Sequence, residues 1–319
     1  MKKILFSVLA MAAFAACSNE EQIAAPQGEA IAFGNAFVDN SVRAGEAADP
    51  SYSANDIESF QVYGTVTGNQ GPVVIYPGTT VSKDEAEYGV AWTCSVEQYW
   101  IPGANYKFVG VVDGNKTVGE TVITKTNLDA GMPTTIEYNA DGETDLLCQT
   151  ITKTAKTDGT SNGLVAFNFN HLLAKVKFTV ANESSTVTNY KYTVTGIAVS
   201  NAYNTGVYNV ATEAWGSLAS TTGQVFDSIV ATAASTECAN EKLLLPIENP
   251  TVAYTVNLYY VENGEESLIS TTPHSTTLES YALEAGHAYN FKLTVKVGEL
   301  IEFTVEEQPK WTNEDPKEL

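Results

Sequence analysis

Short stretches in which apolar and polar residues alternate follow one another along most of this chain. Residues 58–66 are ESFQVYGTV, residues 105–112 are NYKFVGVV and residues 173–180 are LAKVKFTV. Alternation with a period of two, carried by β-branched and aromatic residues, predicts strands that lay one face on a core. Similar segments are PVVIY (72–76), YGVAWTC (88–94), TTIEYN (134–139), LVAFNF (164–169), YTVNLYYVE (254–262) and YNFKLTVKV (289–297).

Turn residues separate these segments, and no stretch keeps a helical period for more than about two turns. In IPGA (101–104), Pro102 and Gly103 occupy the two central positions of a predicted type II turn. Strands spaced by roughly 8–12 residues, with turn signals between them, are typical of β-sandwiches. We therefore predict an all-β fold of two tandem sandwich domains, residues 44–158 and 159–319. The polar stretch KTAKTDGTSNG (153–163) is the predicted linker.

The N-terminus has the pattern of an export signal. Lys2 and Lys3 precede an apolar run over residues 4–16, ILFSVLAMAAFAA. This run is shorter than the roughly 20 residues of a membrane-spanning helix and fits the apolar part of a cleaved signal peptide. It ends in small residues followed by Cys17, which resembles a bacterial lipobox. That resemblance implies cleavage after residue 16, diacylglycerol on the Cys17 sulfur and acylation of its amine. An ordinary secretory signal with a chance cysteine is the alternative.

Between the signal and the first sandwich the sequence predicts a tether, one strand and a loop. Residues 18–29 are polar and aperiodic, whereas residues 30–38, AIAFGNAFV, alternate and place Ile31, Phe33 and Phe37 on one predicted face. The following loop contains Arg43, the single arginine among 17 basic residues.

Composition excludes several functional classes. The net charge is −21 and no basic cluster occurs, which argues against nucleic acid and anionic membrane surfaces as partners. The three histidines stand apart, and no nucleophile elbow, phosphate-binding loop or dinucleotide motif is present. We predict no enzyme activity, no metal and no cofactor. Cys94, Cys148 and Cys238 have no zinc or disulfide spacing, although one disulfide stays open.

Several segments, in their order and spacing, resemble the fimbrillin family, the type V pilins and fimbrillin-like surface lipoproteins of Bacteroidetes. The resemblance covers essentially the whole chain. The segments that carry it are IESFQVYG (57–64), YWIPGANYKFVGVV (99–112), DLLC (145–148), FNFNHLLAKVKFTV (167–180), GHAYNFKLTV (286–295) and IEFTVEEQPKW (301–311).

The resemblance implies two transthyretin-like sandwiches and a precursor that is lipidated and displayed on the outer membrane. It also implies that an arginine-directed protease cuts between Arg43 and Ala44, so that residues 17–43 form a propeptide. Loss of the lead strand, with Ile31, Phe33 and Phe37, then opens a groove that a strand of a neighbouring subunit fills. The implied partners are other fimbrial subunits, the protease, the outer membrane through the lipid anchor before cleavage, and a host or bacterial surface ligand.

The donated strand in this family usually comes from the C-terminal segment. In this chain the candidate is ELIEFTVEE (299–307), with Ile301, Phe303 and Val305 on one face. It is alternatively a permanent strand of the second domain. A different function also stays open, namely a monomeric surface lipoprotein that binds glycans. Its sugar-stacking residues would be Trp92, Trp100, Trp215 and Trp311.

Overall fold

The computed structural model describes residues 28–34, 37–38, 57–68, 71–84, 91–112, 123–182, 189–231, 236–237, 240–295 and 302–308. Within these ranges every regular element is a strand, and no helix long and apolar enough to cross a bilayer occurs there. The all-β prediction is therefore confirmed. The strands of the first half are β1 (Phe37–Val38), β2 (Ser59–Gly68), β3 (Gly71–Asp84), β4 (Ala91–Cys94), β5 (Asn105–Val112), β6 (Ile123–Asp129), β7 (Met132–Asn139), β8 (Leu147–Thr154) and β9 (Asn168–His171).

The second half begins with a long strand that restarts the alternating pattern. Its strands are β10 (Ala174–Asn182), β11 (Tyr190–Val199), β12 (Tyr203–Asn209), β13 (Ala214–Thr221), β14 (Gln224–Val225), β15 (Ile229–Ala231), β16 (Thr236–Glu237), β17 (Lys242–Leu244), β18 (Ile247–Glu248), β19 (Thr251–Glu262), β20 (Glu265–Thr277), β21 (Ala282–Leu283), β22 (Ala288–Val295) and β23 (Glu302–Gln308).

A seven-stranded sheet in the order β1-β9-β8-β5-β2-β3-β4 organises the first half. Its central strands pack apolar side chains on both faces, because β2 and β5 alternate between two cores. Phe60 and Phe108 lie in one core, and Tyr63 and Val109 lie in the other. We call these the first core and the middle core. The first core also includes Tyr76, Trp92, Trp100, Phe167 and Phe169.

The middle core joins the two halves of the sequence. A four-stranded sheet, β13-β12-β7-β6, contributes Ile136 and Tyr138 from β7 and Tyr208 from β12. Strand β12 pairs antiparallel with β7, with Tyr208 opposite Ile136. Residues that follow the predicted boundary are thus hydrogen-bonded into a sheet with residues that precede it.

The predicted linker is a loop inside one sheet. It connects β8 to β9, and these strands pair antiparallel with Leu147 opposite His171. The boundary at residues 158 and 159 therefore does not separate two sheets. A polar, aperiodic sequence indicates a surface connection but does not show which strands it joins.

The third core lies between two further sheets of the second half. One sheet has the order β16-β10-β22-β23, with β17 also on β10, and the other has the order β14-β11-β19-β20, with β15 also on β11. Alternate residues of β10 and β22 point into this core, among them Phe178 and Phe291, whose ring centroids are 5.0 Å apart. A small sheet of β18 and β21 contributes Ile247 and Leu283 to it.

The turn over Ile101–Ala104 has the predicted form. Gly103 has a φ of +75°, as the third position of a type II turn requires, and the Ala104 N–H donates to the Ile101 carbonyl at 3.1 Å. This turn fixes the start of β5 beside the residues that contact the N-terminal segment described next.

Candidate functional site

Residues 28–34, which we call the lead segment, lie between two distant parts of the chain and bond to both. On one side the Ile31 N–H donates to the Gln98 carbonyl at 2.7 Å, and the Trp100 N–H donates to the Glu29 carbonyl at 2.9 Å. On the other side the Val165 N–H donates to the Ala32 carbonyl at 2.8 Å, and the Gly34 N–H donates to the Val165 carbonyl at 3.0 Å. The lead segment is paired along both of its edges.

The predicted strand over residues 30–38 has a less regular form. Two single bridges, Ala30 to Tyr99 and Phe33 to Val165, replace a continuous ladder. The short β1 then pairs parallel with β9, with Phe37 opposite Asn168. The attachment of this segment to the sheet therefore depends strongly on its side chains.

Those side chains fill part of the first core. Ile31 is 6% exposed and Phe33 is 4% exposed. The Phe33 ring meets three rings edge-on, with its centroid 6.1 Å from that of Phe60, 5.4 Å from that of Tyr76 and 6.4 Å from that of Phe108. The rings of β2, β3 and β5 thus form a trough that the lead segment occupies.

The loop between β8 and β9 holds the exposed end of the lead segment. The Glu29 carboxylate accepts hydrogen bonds from the Ser161 hydroxyl, from the Asn162 N–H at 2.6 Å and from the Asn162 side-chain amide at 3.0 Å. These bonds favour the charged form, so the pKa of Glu29 lies below its ordinary value, with the Ser161 bond as the largest cause and the backbone bond of Asn162 next.

The loop is organised by contacts of its own. The Asn162 side-chain oxygen accepts from the Lys156 N–H at 2.7 Å, which directs its amide NH₂ toward Glu29. The Lys156 ammonium donates to the Ser161 carbonyl at 2.6 Å. Lys153 donates to the Leu164 carbonyl at 2.5 Å and lies 6.0 Å from the centre of the Trp100 ring. The carboxylate is therefore held by a pre-shaped turn that also contacts the wall of the trough.

Glycines allow the lead segment to come close to that wall. A Cβ added at Gly28 would lie 2.8 Å from the Trp100 carbonyl oxygen, and one added at Gly34 would lie 2.8 Å from the Leu164 Cβ. Both distances are shorter than real Cβ contacts, so a larger residue at either position requires its neighbour to move.

The fimbrillin-like family model matches residues 47–309. This chain belongs to the fimbrillin-like family. No curated protein matches it in sequence.

Solved structures share the fold of this fimbrillin-like protein. A fimbrial protein from Bacteroides vulgatus has a TM-score of 0.64 at 16% identity and covers 79% of this chain and 93% of its own. A candidate cell adhesion protein from Bacteroides uniformis has a TM-score of 0.52 at 15% identity and covers 89% of this chain and 99% of its own. Another candidate cell adhesion protein, from Bacteroides ovatus, has a TM-score of 0.51 at 16% identity and covers 92% of this chain and 100% of its own. At these identities the likeness concerns the fold.

The structure brings together only some of the residues that the sequence singled out. Ile31 and Phe33 are both buried in the first core, whereas the side chain of Phe37 lies outside the described part of the protein. Cys17, Arg43, Ala44 and Ile301 also lie outside it. Their roles stay predictions.

The candidate donor strand forms an edge strand in this fimbrillin-like protein. Strand β23 pairs only with β22 in the described chain, with Val305 opposite Phe291 and Phe303 opposite Leu293. This pairing agrees with the interpretation of the segment as a strand of the second half, and its donation to another copy stays a prediction.

The tryptophans do not form an exposed platform in the described residues. Trp92 and Trp100 are 8% and 3% exposed within the first core, and Trp215 donates from its ring nitrogen to the Leu172 carbonyl at 2.6 Å. Trp311 lies outside the described part. The three described tryptophans pack against other residues of the protein.

In the positions that the fold gives them, the histidine, metal and cysteine candidates form no reactive site among the described residues. His171, at the end of β9, is buried, and its Nδ1 lies 2.6 Å from the Asp145 carboxylate, a contact typical of a structural hydrogen-bonding residue. No group of three metal-ligating side chains occurs among the described residues. Cys94 and Cys148 are free thiols, and Cys238 lies outside the described ranges.

The roles of the loop residues Ser161 and Asn162 are not apparent from the sequence alone. Only their polar, turn-forming character was visible in the sequence, and that character indicated a linker. Their link to Glu29 spans more than a hundred residues of sequence and depends on the tertiary fold.

Proposed function

We propose that this chain is the precursor of a fimbrial subunit or fimbrillin-like adhesin that assembles by donor-strand exchange and has no enzymatic role. In this proposal it is lipidated on Cys17, displayed at the outer membrane and cut between Arg43 and Ala44. Family membership supports the fimbrial assignment. The observation that carries the exchange step is the burial of Phe33 among the rings of Phe60, Tyr76 and Phe108.

The lead segment is held by a modest amount of free energy. Burying Ile31 and Phe33 contributes about 1.5–3 kcal/mol each, or about 3–6 kcal/mol before costs. Each backbone hydrogen bond adds about 0.5–1.5 kcal/mol net. As long as residues 35–56 connect the lead segment to β2, its effective concentration at the trough is on the order of millimolar. A cut in this connection removes that advantage and lets a strand of similar chemistry compete.

An edge strand is the element that can leave its sheet at least cost. Strand β23 lies at the end of its sheet and gives up one ladder if it departs, whereas an interior strand would give up two. Its backbone can then pair along both sides of the emptied trough, as the lead segment does now. This supports the C-terminal segment of a second copy as the donor.

The test uses the chain beginning at Ser18, treated with an arginine-specific protease. We expect a single cut, a new N-terminus at Ala44 and high-mass species that resist SDS. Arg43→Lys is the matched control, because it keeps the positive charge and the loop length while removing the cleavage site. Fibres from uncut Arg43→Lys protein, in the amount the treated parent gives, would show that cleavage is not the trigger.

The glycan-binding alternative gains no support from the site. Trp92 and Trp100 face the first core, and stacking on a sugar requires an accessible ring face.

A further inference from the structure

The residues that seat the lead segment form a spaced pattern. Glu29, Ile31 and Phe33 alternate along an extended chain and therefore share one side, roughly 6.6–6.8 Å apart per pair. Ile31 and Phe33 enter the trough, and Glu29 reaches the loop at its end. Gly28 precedes them where the backbone passes the Trp100 carbonyl oxygen. The pattern is Gly-Glu-x-Ile-x-Phe.

The same pattern recurs near the C-terminus. Residues 28–33 are GEAIAF and residues 298–303 are GELIEF. The second occurrence leads directly into β23, the edge strand of the last sheet, and residues 298–301 lie outside the described part of the protein.

We propose that residues 298–303 of a second copy take the place of residues 28–33 in the trough, in that register, and that Ser161 and Asn162 bind the Glu299 carboxylate as they bind that of Glu29. This inference rests on the strand exchange proposed above and adds its register and its polar recognition site. Ser161 and Asn162 are positioning residues, since they select where the incoming strand comes to rest.

Each position of the repeat has a physical reason in the structure. An alanine at the first position would crowd a backbone oxygen at 2.8 Å, which a side-chain rotation of the neighbour cannot relieve. The second position meets two N–H donors and one hydroxyl, a set that suits a carboxylate. The fourth and sixth positions fill the trough. The fifth is Ala32 in the lead segment, which is exposed, so Glu302 is tolerated there.

The two segments differ at the residue that follows the repeat, and this difference allows the register to be tested. Thr304 stands where the lead segment has Gly34, whose added Cβ would lie 2.8 Å from the Leu164 Cβ. Leu164 is 55% exposed and has space to move, at some cost in affinity. A glycine at position 304 should therefore improve binding if the register is correct.

The first measurement follows the lead segment after cleavage at Arg43. The fraction still bound to the cut protein is measured over time by size exclusion and mass spectrometry. We expect Glu29→Gln to release the segment about threefold faster or more, as for an exposed charge-assisted contact. Gly28→Ala should release it about tenfold faster, as for an overpacked contact. Ala32→Ser is the control and should match the parent. Equal release by Glu29→Gln and the parent would overturn the role of the loop.

The second measurement uses a labelled peptide with the sequence of residues 298–308 to displace the lead segment from the cut protein. Glu299→Gln and Glu302→Gln remove the same charge, and we expect only Glu299→Gln to weaken binding, by about threefold or more. Thr304→Gly should bind more tightly than the parent peptide. Equal losses for the two glutamate variants, or no gain from Thr304→Gly, would overturn the register and leave strand exchange standing. A parent peptide that displaces nothing would overturn the exchange itself.

Discussion

Truncation of Phe33 in the uncut protein tests the packing on which the exchange proposal depends. The side chain is 4% exposed and its ring contacts three aromatic rings of the first core. Phe33→Ala removes this ring and leaves a cavity, because strands β2, β3 and β5 are fixed by their ladders. Such a change costs about 3–5 kcal/mol in a well-packed core.

That loss should appear in two assays. In thermal unfolding, each kcal/mol lowers the midpoint of a unit of 150–250 residues by about 2–4 °C, so the expected decrease is about 6–20 °C. In size exclusion, uncut Phe33→Ala protein should bind the peptide of residues 298–308. The reason is that the substitution weakens binding of the tethered lead segment to the trough by about a hundredfold or more, so that an added strand can compete with it. Ala32→Ser, on the exposed side of the same segment, should change neither result. An unchanged midpoint for Phe33→Ala would refute the packing described here.

Three further predictions concern titratable groups. Burial raises the pKa of the Cys148 thiol to about 12, so iodoacetamide at neutral pH should leave Cys148 unmodified in the folded protein and label it in concentrated guanidinium. His171→Ala should lower the free energy of unfolding by about 1–3 kcal/mol in urea titrations, because the buried Asp145 carboxylate loses its contact with the imidazole, and His171→Gln should recover part of the loss. The pKa of Glu29 is lowered in the folded protein. The contribution of its carboxylate to binding of the lead segment is therefore complete above the ordinary glutamate pKa of about 4.3, and it is lost as the pH falls through the lowered pKa. After cleavage, acid should therefore speed release of the parent lead segment, and Glu29→Gln should lack this component.

Local alternation was enough to predict the strands that lie on a core. Residues 105–112 were expected as a strand and form β5 with those bounds. The pattern in residues 30–38 also indicated Ile31 and Phe33 as neighbours on one face. Both side chains are buried in the same core, because period-two alternation directly encodes which side of an extended chain is apolar.

Exposed strands and long-range pairings were not visible in the sequence. Strand β20 is rich in serine and threonine and exposed along almost its whole length, so it has no apolar face to reveal it. Strands β12 and β13 were missed as well, and the pairing of β12 with β7 depends on the approach of two distant segments. The sequence of the loop over residues 156–163 is typical of a linker, because the contacts of this loop with Glu29 are also long-range. Its hydrogen bonds to Glu29 arise only when the N-terminus and this turn meet in the folded protein.

The first core is incomplete without residues that precede Arg43. Its rings come from strands β2 to β5, from Trp100 and from residues 167–169, and the space between them is filled by Ile31 and Phe33 from a segment that no ladder continuously fixes. A protein that loses this segment exposes an apolar trough flanked by unpaired backbone groups at residues 98–100 and 165, which is an unfavourable surface in water. Refilling it with an extended chain restores both the apolar contacts and the backbone bonds. The strand that does so must present a glycine, a carboxylate and two apolar side chains at fixed spacing, and residues 298–303 have this arrangement.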